Sequence, residues 1–207
     1  MTLFSSTQNS FIENSFKTKN MKKIVLCIIT VLLANITISS QEKLNINIQK
    51  STIKWIGELT FFFGGHDGYI NFKEGYLIKT GQSITGGEFV IDMNSMTNSD
   101  IKEQEGKDNL IDHLKDPDFF DVSKYPLAKL IFTKVEYSNS NNARIEANLT
   151  LKGITKPINF YAEFDYKNKK MKTRFKINRR EWNVNYTSKF KDGAISDGIG
   201  FEVSVKI

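Results

Sequence analysis

The sequence predicts a mainly β protein, a single antiparallel β-barrel of about eight strands with one short helical insertion. Apolar and polar residues alternate with a period of two in several segments, which is typical of strands with one wet face. These segments are residues 145–151, 158–166, 171–177 and 201–207. Lys152-Gly153 and Asn168-Lys169 indicate tight turns between them. Because consecutive antiparallel strands must hide both their apolar faces and their edges, closure into a barrel is expected.

The N-terminal part of the chain is expected to lie outside this domain. Residues 1–20 are polar and patternless, and we interpret them as an extension from a start codon assigned too early. Residues 21–40 have a basic start, a short apolar run and small residues near Ser40, which indicates a cleaved signal peptide. A retained anchor with a short cytoplasmic tail is the alternative, although the apolar run is short for a spanning helix. Residues 41–207 then form the mature domain.

Composition excludes several classes of function. The only cysteine, Cys27, lies inside the signal-like segment, so residues 41–207 can form no disulfide, thiolate nucleophile or cysteine metal site. The formal charge of the whole chain is +6, and its basic residues alternate with acidic ones. This favours a solvated surface over a nucleic-acid-binding face. The length of residues 41–207 suits one domain that is stable without disulfides.

One helix is expected, over about residues 101–115, and it should end before Pro117. Its apolar stripe consists of Leu110, Ile111 and Leu114. The chain then places Phe119 and Phe120 side by side among acidic residues. An aromatic pair on a short irregular connection either plugs a hydrophobic core or forms part of a ligand pocket.

The sequence around this aromatic pair resembles a known family. Residues 112–126 read DHLKDPDFFDVSKYP and resemble the HLKSPDFFDVxKYP signature of the YceI-like family of bacterial secreted lipid-binding proteins. Further segments resemble motifs of that family in the same order along the chain. They are residues 51–57, 66–70, 86–96, 149–157, 177–182 and 195–197. The resemblance implies a lipocalin-like barrel that holds a long isoprenoid chain in an elongated apolar cavity.

The residues expected to line this cavity are mostly aromatic. They are Trp55, Phe89, Ile91, Phe119, Phe120, Phe132, Leu149, Phe160, Ala162, Phe164, Phe175 and Trp182. Alternation alone favours a solid core built from the same side chains, because an eight-stranded barrel is either packed or just wide enough for one small ligand. The family resemblance favours the cavity. His66 and Arg179 are candidate contacts for a polar head group, although pairing of Arg179 and Arg180 with Asp197 and Glu181 is slightly favoured.

A second hypothesis is a metal-assisted hydrolase or isomerase that uses His66, His113 and nearby carboxylates. Nothing in the spacing of the two histidines recommends a metal site. No serine lies in a Gly-x-Ser-x-Gly context, and no glycine-rich phosphate loop precedes a helix. We therefore expect a protein that is not an enzyme and needs neither metal nor cofactor.

The favoured function is binding, transport or sequestration of an amphiphilic lipid, such as a polyisoprenoid, an isoprenoid quinone or a fatty-acid-like chain. The expected location is the periplasm or the extracellular space. The expected partner is the lipid and not nucleic acid. Transient contact with a membrane and formation of a homodimer are both left open. A third hypothesis is an exported stress or structural protein with a filled barrel. The three hypotheses predict an apolar tunnel, converging histidines and a solid interior, respectively.

Overall fold

The computed structural model describes residues 40–59, 64–187 and 195–207. Apart from Ser40, the predicted extension 1–20 and signal peptide 21–40, including Cys27, lie outside the described residues. None of the helices within the described ranges is both long and apolar enough to cross a membrane.

The described chain is dominated by strands, with a single α-helix in the connection between β4 and β5. The strands are β1 (Gln41–Asn45), β2 (Thr52–Leu59), β3 (Gly65–Thr80), β4 (Ser83–Asp92), β5 (Leu127–Tyr137), β6 (Asn142–Leu151), β7 (Ile154–Asp165), β8 (Lys170–Asn178) and β9 (Ile195–Lys206). The helix is α1 (Gln104–Lys115), and short 3-10 turns are found at Ile48–Lys50, Met93–Ser95 and Arg179–Trp182.

Strands β2 to β9 form a closed antiparallel barrel. The strand order is β3-β2-β9-β8-β7-β6-β5-β4, and β3 also pairs with β4, which closes the sheet. β3 has 16 residues, so its first part can pair with β2 while the remainder pairs with β4. β1 lies alongside the last residues of β3, beyond the part that β2 covers. The predicted antiparallel barrel of about eight strands is therefore confirmed.

The four alternating segments correspond to β6, β7, β8 and β9, as the sequence predicts. The turn between β6 and β7 places Lys152 and Gly153 at φ values of 49° and 75°. A Cβ atom on Gly153 would approach the ring of Tyr125 to 2.7 Å. Glycine is therefore required here by both the left-handed backbone and the lack of space.

The predicted helix is also confirmed, although it begins at Gln104 rather than near residue 101. Its end at Lys115 has a clear cause, because Pro117 disfavours helical backbone at Asp116, which is extended with ψ of 160°. Of the predicted apolar stripe, Leu114 is buried, while Leu110 and Ile111 are partly buried against the core. α1 thus packs on the end of the barrel that carries the β4–β5 connection, which we call the helical end.

The opposite end of the barrel is filled by side chains, and we call it the closed end. Leu77, Ile84, Ile145 and Phe164 are almost completely buried there. The Ile84 N–H donates to the Tyr137 hydroxyl (3.0 Å), which lies 2.7 Å from the hydroxyl of Tyr166. Burial, reinforced by the Tyr166 hydroxyl, raises the pKa of Tyr137, so this neutral polar link persists at physiological pH.

Candidate functional site

A cavity of about 200 Å³ lies inside the barrel, and its lining is almost entirely apolar. It is lined at the helical end by Leu110 and Leu114 of α1, and it extends along β8 and β9 as far as Met171 and Val205. The inner faces of β2 to β7 and the connections at the helical end supply the rest of the wall. Such a cavity can accept hydrocarbon but offers few partners for polar groups.

Most of the residues that the sequence predicts for this lining do line the cavity. They are Trp55, Phe89, Ile91, Phe119, Phe120, Leu149, Phe160 and Phe175. His66, His113 and Arg179 line it as well. The structure thus brings the three polar candidates of the sequence to one apolar space, where their partners decide what each of them can do.

Four predicted lining residues lie outside the lining, although all are buried: Phe132, Ala162, Phe164 and Trp182. The ring of Phe132 is packed between those of Phe89 and Phe160, with centroids 5.5 and 6.0 Å away. The ring of Phe164 packs on Tyr137 at 5.8 Å, toward the closed end. Both rings therefore pack against residues of the cavity wall or of the closed end, and neither forms part of the cavity surface.

The other two residues are displaced from the cavity for different reasons. Ala162 is paired with Ala143 of β6 and Thr173 of β8, and its side chain is too short to project beyond its neighbours. Trp182 lies in the 3-10 turn after β8 and is 1% exposed. Its indole Nε1 donates to the carbonyl of Leu149 at 3.1 Å, which anchors that turn to β6. Trp182 is therefore a structural residue of the helical end.

A chain of aromatic contacts runs around the barrel interior from β3 to β9. Its members are Phe72, Phe89, Phe132, Phe160, Phe175 and Phe201, and neighbouring ring centroids are separated by 4.8 to 6.0 Å. Offset and edge-on contacts at such separations stabilise the interior beyond simple area burial. The rings also fill much of the barrel interior. The remaining cavity is therefore smaller than the roughly 300–1,000 Å³ of ordinary ligand pockets. A slender ligand fits this space better than a compact one.

The aromatic pair Phe119-Phe120 plugs the helical end and is held there by Lys152. The Lys152 ammonium donates to the carbonyls of Pro117 (2.9 Å), Phe119 (2.7 Å) and Asn183 (3.3 Å). An ammonium group has three N–H donors, and each one finds a carbonyl here. Sequence reasoning assigned Lys152 only to a turn and missed this role. The residue joins the β6–β7 turn to two separate loops at the helical end.

Arg179 is buried beside the cavity, and its polar atoms are already engaged. Nε donates to the Ser196 carbonyl (3.2 Å), Nη1 to the Val184 carbonyl (2.6 Å) and Nη2 to the Asp197 carboxylate (3.3 Å). Burial lowers the pKa of Arg179, while the Asp197 carboxylate opposes that shift. The structure therefore shows the expected pairing with Asp197, and the guanidinium joins the first residues of β9 to Val184. Head-group contact by Arg179 would require these bonds to be shared or broken.

His66 lies near the start of β3 and is paired outside the cavity. Its Nδ1 lies 2.8 Å from the Asp100 carboxylate, which also accepts from the Asp67 N–H (3.0 Å) and from Asn98. Burial alone would raise the pKa of Asp100, but these hydrogen bonds hold the pKa below its ordinary value. His66 thus has a satisfied structural partner, which weakens its candidacy as a head-group contact.

His113 differs from His66 because its Nε2 atom is buried and has no hydrogen-bond partner among the described residues. Its ring is fixed edge-on against Tyr186 (4.3 Å) and Phe119 (5.7 Å). An unpaired buried polar atom costs about 1–3 kcal/mol. His113 also lies near Asp116 and Asp118, with potential ligand atoms within 4.8 Å of one another. Both carboxylates are exposed, and His66 does not belong to this group.

Gly68 on β3 shows how closely the loop before α1 packs on the barrel. A Cβ atom there would lie 1.8 Å from the Thr97 carbonyl oxygen, whereas one on Gly57 would meet nothing closer than 3.6 Å. We expect Gly68→Ala to lower the free energy of unfolding by about 1–3 kcal/mol, because backbone must move to admit the methyl group. Gly57→Ala is the matched control. Urea unfolding of both variants tests this, and equal stabilities would contradict the packing described.

Comparison with known proteins gives a consistent family and fold. The YceI-like domain model matches residues 34–207. A UPF0312 protein of Pseudomonas putida strain W619 is 34% identical over 100 residues, which cover 45% of this chain and 50% of that protein. The match thus spans about half the length of this relative. The crystal structure of Burkholderia cenocepacia BcnA superposes with a TM-score of 0.64 at 17% identity, over 77% of this chain and 98% of that one, and therefore supports the fold alone.

Proposed function

Because the chain belongs to the YceI-like domain family, we propose that it is a non-catalytic protein that binds the hydrocarbon chain of an amphiphilic lipid inside its barrel. The observation that carries this proposal is the almost entirely apolar cavity between α1 and the closed end. Burial of hydrocarbon is favourable by roughly 0.8 kcal/mol per CH₂ group. An apolar chain could therefore bind there without any strong polar contact.

The shape of the cavity narrows the class of ligand. A space of about 200 Å³ bounded by aromatic rings favours a slender chain, such as a polyisoprenoid, the tail of an isoprenoid quinone or a fatty acyl chain. A longer chain would have to displace lining side chains or project from the barrel. Because the closed end is filled by buried residues such as Leu77 and Ile84, we place the route of access at the helical end.

We also propose that the protein acts in the periplasm or is secreted. The signal-like segment at residues 21–40 supports this location. Since lipids of this class reside in membranes, loading and release would involve transient contact with a bilayer. The lipid is then carried or sequestered rather than chemically changed, in keeping with the lack of a Gly-x-Ser-x-Gly segment and of a glycine-rich phosphate loop in the sequence.

Extraction of natively purified protein tests the proposal directly. Protein isolated from the periplasm of its host, without detergent, should yield an organic extract in which mass spectrometry detects one apolar-chain lipid in near-stoichiometric amount. Delipidated protein should then take up the same lipid again. If neither native nor delipidated protein retains any apolar chain, the barrel is a filled structural scaffold, which the small cavity would also suit.

A further inference from the structure

We propose that His113 provides the polar anchor of the cavity, with Nε2 forming a hydrogen bond to a neutral oxygen atom of the ligand. This inference rests on the proposed function, and it deepens it by stating where the polar end of the ligand lies. The oxygen would belong to a hydroxyl or carbonyl group attached to the apolar chain. Two observations carry the inference: the burial of an unpartnered Nε2 atom, and the presence of His113 among the residues that line an otherwise apolar cavity.

The other polar side chains that line the cavity already have partners. Glu58 bonds to Lys176, His66 to Asp100, Thr173 to the Tyr161 carbonyl, Arg179 to three acceptors, and Ser196 to the Gly198 N–H. The Trp55 indole likewise donates to the Thr97 carbonyl. Among the described residues on this wall, His113 Nε2 is thus the buried side-chain polar atom that a ligand could satisfy without breaking an existing bond.

The surroundings of His113 fix the ring in place. Tyr186 and Phe119 contact it edge-on, with centroids 4.3 and 5.7 Å away, and Leu114 is buried next to it in α1. A ring held by aromatic contacts keeps Nε2 in one direction, which reduces the entropy lost when a ligand bonds to it. His113 therefore offers a pre-oriented contact at the helical end of the cavity.

The chemistry of the site favours a neutral oxygen over a charged group. A neutral imidazole nitrogen can donate or accept according to its tautomer, so Nε2 suits either a carbonyl or a hydroxyl. A buried phosphate or carboxylate would instead need a compensating charge, and the Arg179 guanidinium is already committed to Asp197 and two carbonyls. The ligand would thus lie with its oxygen at α1 and its chain directed toward Met171 and Val205.

The test compares two probes that differ in one hydroxyl group, phytol and its hydrocarbon counterpart phytane. His113→Phe retains an aromatic ring against Tyr186 and Phe119 but removes Nε2. Retention of each radiolabelled probe is measured at equilibrium with delipidated full-length protein. We expect His113→Phe to weaken phytol binding by roughly tenfold, equivalent to about 1.4 kcal/mol, while phytane binding stays the same. Tyr161→Phe is the control, because it also removes a polar group from an aromatic side chain, but on the outer face, where Tyr161 is 70% exposed, and it should leave both probes unaffected.

The outcomes separate this inference from the proposed function. If the parent protein binds both probes and His113→Phe binds phytol as well as the parent does, His113 is not the anchor, although the lipid-binding proposal stands. An equal loss for phytol and phytane would show only a steric role and would also overturn the anchor. If the parent binds neither probe, the proposed function itself fails. His113→Leu serves as the second variant if the first does not fold.

Discussion

Replacing Arg179 with methionine should lower the free energy of unfolding by about 3 kcal/mol, whereas the same change at Arg180 should cost at most about 1 kcal/mol. Both guanidinium groups pair with Asp197, at 3.3 and 2.6 Å. They differ in burial, since the Arg179 side chain is 1% exposed and that of Arg180 is 43% exposed. Because the two adjacent arginines share one ion-pair partner and differ in burial, comparing them separates the effect of burial on stability from the effect of charge.

The larger effect at Arg179 comes from the acceptors that its removal would leave behind. The carbonyls of Val184 and Ser196 would lose a charged donor. The Asp197 carboxylate is half exposed and still near Arg180, so it can recover hydration or its other partner. We therefore expect the low end of the cost typical for a broken buried ion pair.

Urea denaturation of the two variants at neutral pH provides the measurement, with the parent protein as reference. Methionine is chosen because it retains much of the apolar stem that arginine packs. Equal losses for Arg179→Met and Arg180→Met would contradict the burial-based argument. If Arg179→Met were as stable as the parent but lost lipid, Arg179 would act on the ligand rather than on the fold.

Sequence patterns predicted the barrel well because alternation reports directly which face of a strand is buried. Burial alternates along β6 and β8 and along β7 from Ile158 onward, whereas most residues of β9 are half-buried. β1 escaped prediction, since Gln41–Asn45 contains a single apolar residue, Leu44, and pairs only at one margin of β3. Its position depends on hydrogen bonds to a neighbouring strand, which no local pattern in five residues can reveal.

Alternation does not report the height of a residue along the barrel axis, and this limited the prediction of the cavity. Phe160 and Phe164 lie on the same face of β7, four residues apart, which corresponds to about 13 Å along the strand. Phe160 lines the cavity, whereas Phe164 packs on Tyr137 toward the closed end. A residue lines the cavity only if its side chain points into the barrel and if it lies at the level of the cavity along the barrel axis. That level depends on the register between strands, which alternation does not report.

The partners of polar residues were equally hidden from sequence reasoning. Lys152 stands in a tight turn, and the carbonyls that it binds belong to Pro117, Phe119 and Asn183, more than thirty positions away along the chain. The basic residue next to Gly153 was the visible signal, but its targets are backbone atoms and therefore leave no trace in residue identity. His66 was hidden for a different reason: its partner is a side chain, the Asp100 carboxylate, which lies 34 positions away and comes close only once the loop before α1 is folded.

Placing a charge inside the cavity should have the largest effect on ligand binding. We expect Phe160→Lys to abolish retention of any apolar chain, because the residue is 4% exposed, lines the cavity and is surrounded by other aromatic rings. An ammonium group there has no hydrogen-bond partner, so it would draw water into the cavity or unfold the wall. The adjacent Tyr161 is 70% exposed on the outer face, and Tyr161→Lys should leave retention unchanged.

Because Phe160→Lys could unfold the protein outright, a cavity-filling variant isolates the loss of ligand from the loss of fold. Ala128 of β5 lines the cavity and is buried, so Ala128→Phe would project a ring into the space that the lipid chain would use. Overpacking of a core costs about 1–3 kcal/mol where space is lacking, and the existing cavity should keep the cost near the low end. We expect Ala128→Phe to melt cooperatively within a few degrees of the parent and to retain less than about a tenth of the lipid, a loss worth at least about 1.4 kcal/mol. Undiminished retention in a folded Ala128→Phe protein would place the ligand outside the barrel, because a chain that occupies this cavity cannot share it with an additional phenyl ring.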